Sequence, residues 1–132
     1  MSRILLDTSG YSAFKRDHPE VLRQIQEASE ILLNPVVLGE LRSGFLKGSR
    51  LERNLAELAE FLAGNRVRIV VVDEDTAPRY AVILRFLQEQ GTPIPTNDIW
   101  IAASAMQHGL KLVTTDQHFH RVPQIVTEVF PP

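Results

Sequence analysis

The chain has 132 residues, 44% of them hydrophobic and 23% charged, with a formal net charge of −2 and no cysteine. These values predict one domain over residues 1–132, and they exclude a disulfide framework, a thiolate zinc site and a strong overall attraction to nucleic acid. No apolar run reaches the roughly 18 residues of a membrane helix, and we expect a cytoplasmic protein that makes no contact with a membrane.

Short apolar runs alternate with amphipathic segments in the first half of the chain. Strands are predicted at three of these runs, residues 4–6, 31–33 and 67–72. Apolar residues at helical spacing predict three helices, which begin near Pro19, run from about Val36 to Lys47, and run from Leu51 to near Gly64.

The second half of the chain continues this alternation. Two further helices are predicted by apolar stripes that end at a glycine: Tyr80, Ile83, Leu84 and Leu87 before Gly91, and Ile99, Ala102, Ala103 and Met106 before Gly109. Strands are predicted at residues 112–114 and 125–129. Because strands separated by helices form βαβ units, we expect an α/β fold, an open and mainly parallel sheet with helices on both faces.

Four acidic residues fall where predicted strands end or where predicted helices begin: Asp7, Glu40, Asp98 and Asp116. Ligands of an open parallel sheet bind beyond the carboxyl ends of its strands, so these side chains are expected at one edge. Each acid also has a structural interpretation, as a helix cap, the start of a turn or a solvated helix residue. Four acids at one edge favour the binding of a divalent cation, Mg²⁺ or Mn²⁺, because such ions prefer oxygen ligands and offset the repulsion between the carboxylates.

Two other groups compete for a ligand role. The acids of "DEDT", residues 73–76, follow a predicted strand but suit the favourable charge at a helix start. His118 and His120 suit exposed positions around a buried Phe119, or contact with a phosphate, better than a zinc site.

The segment "RSGFLKGSRLER", residues 42–53, is locally basic. It holds Arg42, Lys47, Arg50 and Arg53 against one acid, and it begins two residues after Glu40. A basic flank beside an acidic pocket suits a polyanion whose phosphate must reach a metal. A solvated pair of helices explains the same pattern.

Four motifs together resemble the PIN-domain ribonucleases. They are Asp7-Thr8-Ser9 after the first strand, "GEL" around Glu40, "NDIWIAASA" at residues 97–105 and "KLVTTD" at residues 111–116. The resemblance covers nearly the whole chain, in the right order and spacing. It is greatest to the VapC-type toxins of bacterial and archaeal toxin–antitoxin pairs.

The resemblance implies a single PIN-like nuclease domain with a five-stranded parallel sheet in the order 3-2-1-4-5. By position, the metal-binding acids of the family fall on Asp7, Glu40, Asp98 and Asp116, and its small hydroxyl residues fall on Thr8 and Thr114. We expect Thr8, Thr114 and Asn97 to orient these acids or water, and Arg42, Lys47 and Arg50 to contact RNA.

The implied activity is that of a Mg²⁺- or Mn²⁺-dependent endoribonuclease. Water activated by the metal would attack the phosphorus, and the family implies products with a 5′-phosphate and a 3′-hydroxyl. A cognate antitoxin and a homodimer are the expected protein partners. Four apolar residues outside the helix stripes are candidates for such surfaces unless they complete the core: Phe45, Phe61, Phe86 and Trp100.

Departures from the family pattern and rival functions bear on this interpretation. Val36 stands where a hydroxyl residue is common, and His118-Phe119 where an acid-Phe pair is common, which concerns substrate contacts rather than the four acids.

An aspartyl-nucleophile phosphatase would want an acid at Ser9, and a receiver domain would want paired acids near the chain start. A non-catalytic PIN-like module that binds RNA or a partner is the main alternative, but it should have lost acids.

Overall fold

A computed structural model describes residues 2–132 of the chain. Its strands are β1 (Arg3–Leu6), β2 (Glu30–Leu33), β3 (Val67–Ile69), β4 (Lys111–Thr114) and β5 (Thr127–Val129). Its helices are α1 (Thr8–Lys15), α2 (Pro19–Glu27), α3 (Pro35–Lys47), α4 (Leu51–Leu62), α5 (Ala77–Gln90) and α6 (Thr96–His108). A 3₁₀ helix, Gln117–Arg121, follows β4.

The five strands form one parallel sheet in the order β3-β2-β1-β4-β5. This confirms the α/β fold and the strand order that the family resemblance implies. Leu5 of the central strand pairs with Leu32 on one side and Leu112 on the other. The consecutive residues Ile4, Leu5 and Leu6 are all fully buried. Because consecutive strand residues point to opposite faces, both faces of β1 are covered.

A buried polar pair joins α3 to α6. Asn34 is fully buried, and its side-chain Oδ1 caps α3 by accepting a hydrogen bond from the Val37 N–H at 3.0 Å. Its Nδ2 donates to Ser104 Oγ of α6, also at 3.0 Å. Since α3 carries Glu40 and α6 carries Asp98, this pair helps to set the positions of two candidate site residues.

Helix α1 is not predicted by the sequence patterns described above. It begins directly after β1, where the Asp7 side chain caps it by accepting a hydrogen bond from the Gly10 N–H at 2.7 Å. Its sequence, TSGYSAFK, contains a glycine and two serines and lacks a clear apolar stripe. Helical structure here is therefore set by the cap and by packing on the sheet.

The two edge strands are shorter than predicted. The strand expected at residues 67–72 ends at Ile69, and the strand expected at residues 125–129 begins at Thr127. β3 pairs with β2 alone, and the hydrogen bond from the Val70 N–H to the Leu33 carbonyl, 2.9 Å long, closes that pairing. Beyond it the chain has no strand to pair with, because α3 begins at Pro35.

The four apolar residues outside the helix stripes are all half-buried. Phe45, Phe61 and Phe86 pack against the core, and Trp100 stacks on Tyr80 with 4.1 Å between ring centroids. Each side chain thus contributes to packing and keeps some accessible surface.

Within residues 2–132, no helix combines the length and apolar character that a membrane crossing requires.

Candidate active site

The four predicted acids lie at the carboxyl edge of the sheet. Asp7 directly follows β1, and Asp116 lies two residues after β4. Glu40 lies in α3, which begins just after β2 ends. Asp98 lies in the first turn of α6, which leads back to the start of β4. All four carboxylates therefore lie at the edge predicted from the strand pattern.

Asp7 is 3% exposed and is surrounded by hydrogen-bond donors. Besides the Gly10 N–H, it accepts from Ser9 Oγ at 2.9 Å and from Thr114 Oγ1 at 2.7 Å. Gly10 is required here, because a Cβ at this position would lie 2.5 Å from the Val113 carbonyl oxygen. Helix α1 can therefore approach β4 closely enough to bring Asp7 within reach of Thr114.

Two hydroxyl groups connect Asp7 with the region of Asp116. Thr114 Oγ1, which donates to Asp7, accepts from the Asp116 N–H at 2.9 Å. Ser9 Oγ accepts from the Thr115 N–H at 3.0 Å. Thr114 thus makes the contact with an acid that we predicted for it. Ser9 was missed as a site residue, although it lies within the Asp7-Thr8-Ser9 motif.

Glu40 is held by the two other residues predicted to orient the acids. Thr8 Oγ1 donates to Glu40 Oε1 at 2.6 Å, and Asn97 Nδ2 lies 3.3 Å from Glu40 Oε2. Because Thr8 is the first residue of α1 and Asn97 the second residue of α6, Glu40 connects three helices at this edge.

The carboxylates of Asp98 and Asp116 both lie close to the imidazole ring of His118. His118 Nδ1 lies 3.2 Å from Asp98 Oδ2 and 3.2 Å from Asp116 Oδ1. The His118 side chain is 42% exposed, in line with the expected exposed position, but its contact with these two acids was not predicted. His120 is exposed as expected and contacts Gln117, and Phe119 between the two histidines is buried as expected.

Two of the four carboxyl groups, those of Asp7 and Asp98, have raised pKa values. Burial raises the pKa of Asp7 from 3.8 to about 6; hydrogen bonds from Thr114, Gly10 and Ser9 oppose this rise, and the charge of Asp116 adds to it. Burial also raises the pKa of Asp98, against the opposing hydrogen bond of His118 and with the help of Asp116 and Glu40. Burial is thus the main cause of both pKa rises, and repulsion between the acids adds to it.

The donor set suits a divalent cation. Among residues 2–132, one group of at least three carboxylate or imidazole side chains brings a ligand atom of each within 4.8 Å of the others: Asp98, Asp116 and His118. Oxygen ligands suit hard divalent ions, and imidazole suits transition ions. Asp7 and Glu40 lie outside this group, Asp7 being connected to it through Thr114. The site can thus hold a divalent cation at Asp98 and Asp116.

Two of the four acids, Asp7 and Asp116, also have the structural role of a helix cap. Asp7 caps α1, and Asp116 caps the 3₁₀ helix by accepting from the His118 N–H at 2.9 Å. Asp98 makes no side-chain cap of α6. In the competing "DEDT" segment, Asp73 accepts a hydrogen bond from the Asp75 N–H, and Thr76 bonds to Gln107. This segment forms a turn of its own, and its acids are not part of the group formed by Asp98, Asp116 and His118.

The three residues predicted to bind RNA are exposed, and Lys47 and Arg50 line different grooves. Lys47 lines a shallow groove together with Glu40 and Asn97. Arg50 lines a separate cleft between α1, α3 and α4. Arg42 is exposed on α3. Of the three, Lys47 is therefore the one whose groove includes a candidate site residue.

Known proteins are similar to this chain in sequence and in fold. The PIN domain model matches residues 4–125, a span that includes all four acids. The chain is 34% identical over 131 residues to ribonuclease VapC2 of Haemophilus influenzae, covering 97% of this chain and 98% of that relative. Its fold is similar to VapBC2 of Rickettsia felis, solved with a promoter DNA fragment, with a TM-score of 0.86, 26% identity and coverage of 97% and 98% of the two chains.

VapBC-5 of Mycobacterium tuberculosis, a member of the VapBC toxin–antitoxin family, is also similar, with a TM-score of 0.77, 29% identity and full coverage of both chains. The family model and the Haemophilus relative each span most of this chain, including the edge at which the acids meet. The chain therefore belongs to the PIN-domain family, in the group of VapC ribonucleases.

Proposed function

We propose that this protein is a VapC-type endoribonuclease that hydrolyses RNA phosphodiester bonds with a divalent cation, Mg²⁺ or Mn²⁺. The observation that carries the proposal is the meeting of Asp98 and Asp116 at one sheet edge, with Asp7 connected to Asp116 through Thr114. The relatives named ribonuclease VapC support the activity, and the mutual repulsion of the acids supports a cation.

The chain's own residues prepare the site for this reaction. A bound cation would supply Lewis-acid polarisation of the scissile phosphate and of the attacking water. Asp98 and Asp116 would hold it, and Ser9 and Thr114 fix the orientation of Asp7 beside it. Thr8 and Asn97 hold Glu40 in the same way. No side chain needs to act as the nucleophile, and the expected products carry a 5′-phosphate and a 3′-hydroxyl.

The RNA backbone would approach along the groove that contains Lys47, Glu40 and Asn97. Lys47 in this groove would attract phosphate, while a bound cation would offset the charge of the acids. Arg42 and Arg50 would then contact more distant phosphates, if the RNA extends over α3 and α4.

The protein partners follow from the same family. We propose a cognate antitoxin, a homodimer and one nuclease domain over residues 1–132, acting in the cytoplasm where RNA is available. The relationship to a VapBC toxin–antitoxin complex supports the antitoxin. The half-buried aromatic residues, Phe45 and Trp100 among them, offer apolar surface for protein contacts.

Cleavage of RNA by the purified protein tests the proposal. We expect cleavage with Mg²⁺ or Mn²⁺ and none with EDTA. Changing any one of the four acids to its amide should reduce the rate by orders of magnitude, and sequencing of RNA ends after brief expression, with Asp98→Asn as control, should locate the sites.

Asp75→Asn is the matched control, because Asp75 is an exposed aspartate of the competing acidic segment. It should cleave at the rate of the unmodified protein. Full activity of Asp7→Asn in Mg²⁺, or cleavage that persists in EDTA, would refute the assignment.

A further inference from the structure

We propose that His118 supplies a nitrogen ligand to the cation at Asp98 and Asp116, and that this makes the site prefer a divalent first-row transition ion such as Mn²⁺ over Mg²⁺. The inference rests on the metal site of the proposed function and deepens it. A site made only of the four acids would offer oxygen ligands alone.

The backbone of His118 is held in place from two sides. The His118 N–H donates to Asp116 Oδ1 at 2.9 Å, and the next residue, Phe119, is 1% exposed and anchors the 3₁₀ helix in the core. The ring therefore stands on a fixed turn, although the side chain itself is 42% exposed. An imidazole on a fixed turn needs little reordering to bind an ion.

One nitrogen of this ring faces both acids. Nδ1 lies 3.2 Å from Asp98 Oδ2 and 3.2 Å from Asp116 Oδ1. Neighbouring ligands of an octahedral ion with bonds of about 2.1 Å are roughly 3 Å apart, so these two spacings are close to those of atoms that share one ion. A ligand atom of each of the three residues lies within 4.8 Å of the others. The space between Nδ1 and the two carboxylates, which a proton on Nδ1 would face, is also the space that a cation can occupy.

The mixed ligand set has a consequence for the choice of ion. Mg²⁺ gives up its water reluctantly and favours oxygen, whereas first-row transition ions gain from an imidazole nitrogen. A counter-charge role for His118 is the alternative, in which a protonated ring only offsets Asp98 and Asp116. That role gives no bond between nitrogen and the ion.

Metal binding to the full chain, measured without RNA, tests the proposal. The protein is stripped with EDTA, exchanged into buffer and titrated by calorimetry with MnCl₂ or MgCl₂. We expect tighter binding of Mn²⁺, and in His118→Asn a loss of Mn²⁺ affinity on the order of tenfold with a smaller loss for Mg²⁺. His120→Asn is the matched control, because His120 is exposed and contacts Gln117, and its affinities should not change.

Pulsed electron paramagnetic resonance of the Mn²⁺ complex detects the nitrogen directly. We expect ¹⁴N modulation from an imidazole in the unmodified protein and in His120→Asn, and its loss in His118→Asn. The spectrum of the unmodified protein needs no variant, so it decides the question even if His118→Asn fails to fold.

A Mn²⁺ complex without ¹⁴N modulation, no Mn²⁺ binding, or equal weakening of both ions in His118→Asn would overturn the proposal. A nitrogen signal in a protein that does not cleave RNA would support this ligand and refute the nuclease function instead. RNA cleavage by a protein without the nitrogen signal would support the nuclease and refute the ligand.

Discussion

Asp7 combines two tasks that make opposite demands on a carboxylate. As the cap of α1 it accepts a hydrogen bond from the Gly10 N–H, which favours the charged form. As a buried residue of the candidate site it loses contact with water, which favours the neutral form. Burial prevails, and the pKa of Asp7 rises to about 6.

This shift makes the stability of the metal-free protein depend on pH. Between 3.8 and about 6 the folded protein keeps a proton that the unfolded chain has released. The free energy of unfolding should therefore fall as the pH rises through this window, by on the order of 3 kcal/mol in total. In urea denaturation with EDTA at pH 4 to 7, Asp7→Asn should gain stability relative to the unmodified protein as the pH rises.

Asp75→Asn, at an exposed position, controls for the general effect of removing one carboxylate. Parallel stability profiles of Asp7→Asn and the unmodified protein over pH 4 to 7 would contradict the raised pKa of Asp7.

The acids of the site could be predicted from sequence, but two of their neighbours could not. The ends of parallel strands fall at one edge whatever the loops do, so Asp7 and Asp116 follow from the strand pattern. The role of Ser9 depends on a hydrogen bond from the Thr115 N–H, 106 residues away in the chain. That contact, like the ring position of His118, depends on three-dimensional packing that local patterns do not encode.

At the scale of elements, strand length was predictable where a strand has neighbours on both sides. The apolar runs at residues 4–6, 31–33 and 112–114 lie within β1, β2 and β4, each of which is one residue longer. The edge strands β3 and β5 are shorter than their apolar runs, because their lengths are limited by a single partner. Val71, predicted in a strand, is 61% exposed, which shows that β-propensity alone does not extend a sheet.

The Asn34–Ser104 pair should matter for both stability and activity. Asn34→Ala removes the cap of α3 and leaves two buried polar groups, the Val37 N–H and Ser104 Oγ, without their partner. We expect a loss of about 2–3 kcal/mol in the free energy of unfolding, measured with urea. RNA cleavage should also slow, because α3 and α6 carry Glu40 and Asp98.

Ser104→Ala separates the two effects, because it removes the bond between the helices and keeps the cap. Its loss of stability should be smaller than that of Asn34→Ala. In the double variant the losses should be less than additive, since both changes remove the same bond. Strict additivity would show that the bond contributes nothing.

At the scale of the whole molecule, the metal-free protein is folded around negative charges that repel one another. Asp98 is the clearest probe of this cost, because it caps no helix. Without metal, Asp98→Asn should melt higher than the unmodified protein, by on the order of 1 kcal/mol. In saturating Mg²⁺ or Mn²⁺ the difference should narrow or reverse, because the ion stabilises the unmodified folded state more.

Thermal melts in EDTA and in metal check this expectation. Asp116→Asn should behave in the same way with a smaller gain, because Asp116 also caps the 3₁₀ helix. If both variants melt lower in EDTA and metal changes nothing, the carboxylates are structural and the nuclease proposal loses its physical basis.

The central position of β1 determines when activity can arise during synthesis. Of the five strands, β1 leaves the ribosome before the others, but its neighbour β4 begins at Lys111, and Asp116 follows still later. Asp7 and Glu40 are therefore made long before the strand and the acid that complete their edge. A nascent chain should have no ribonuclease activity until the residues through Asp116 have left the ribosome.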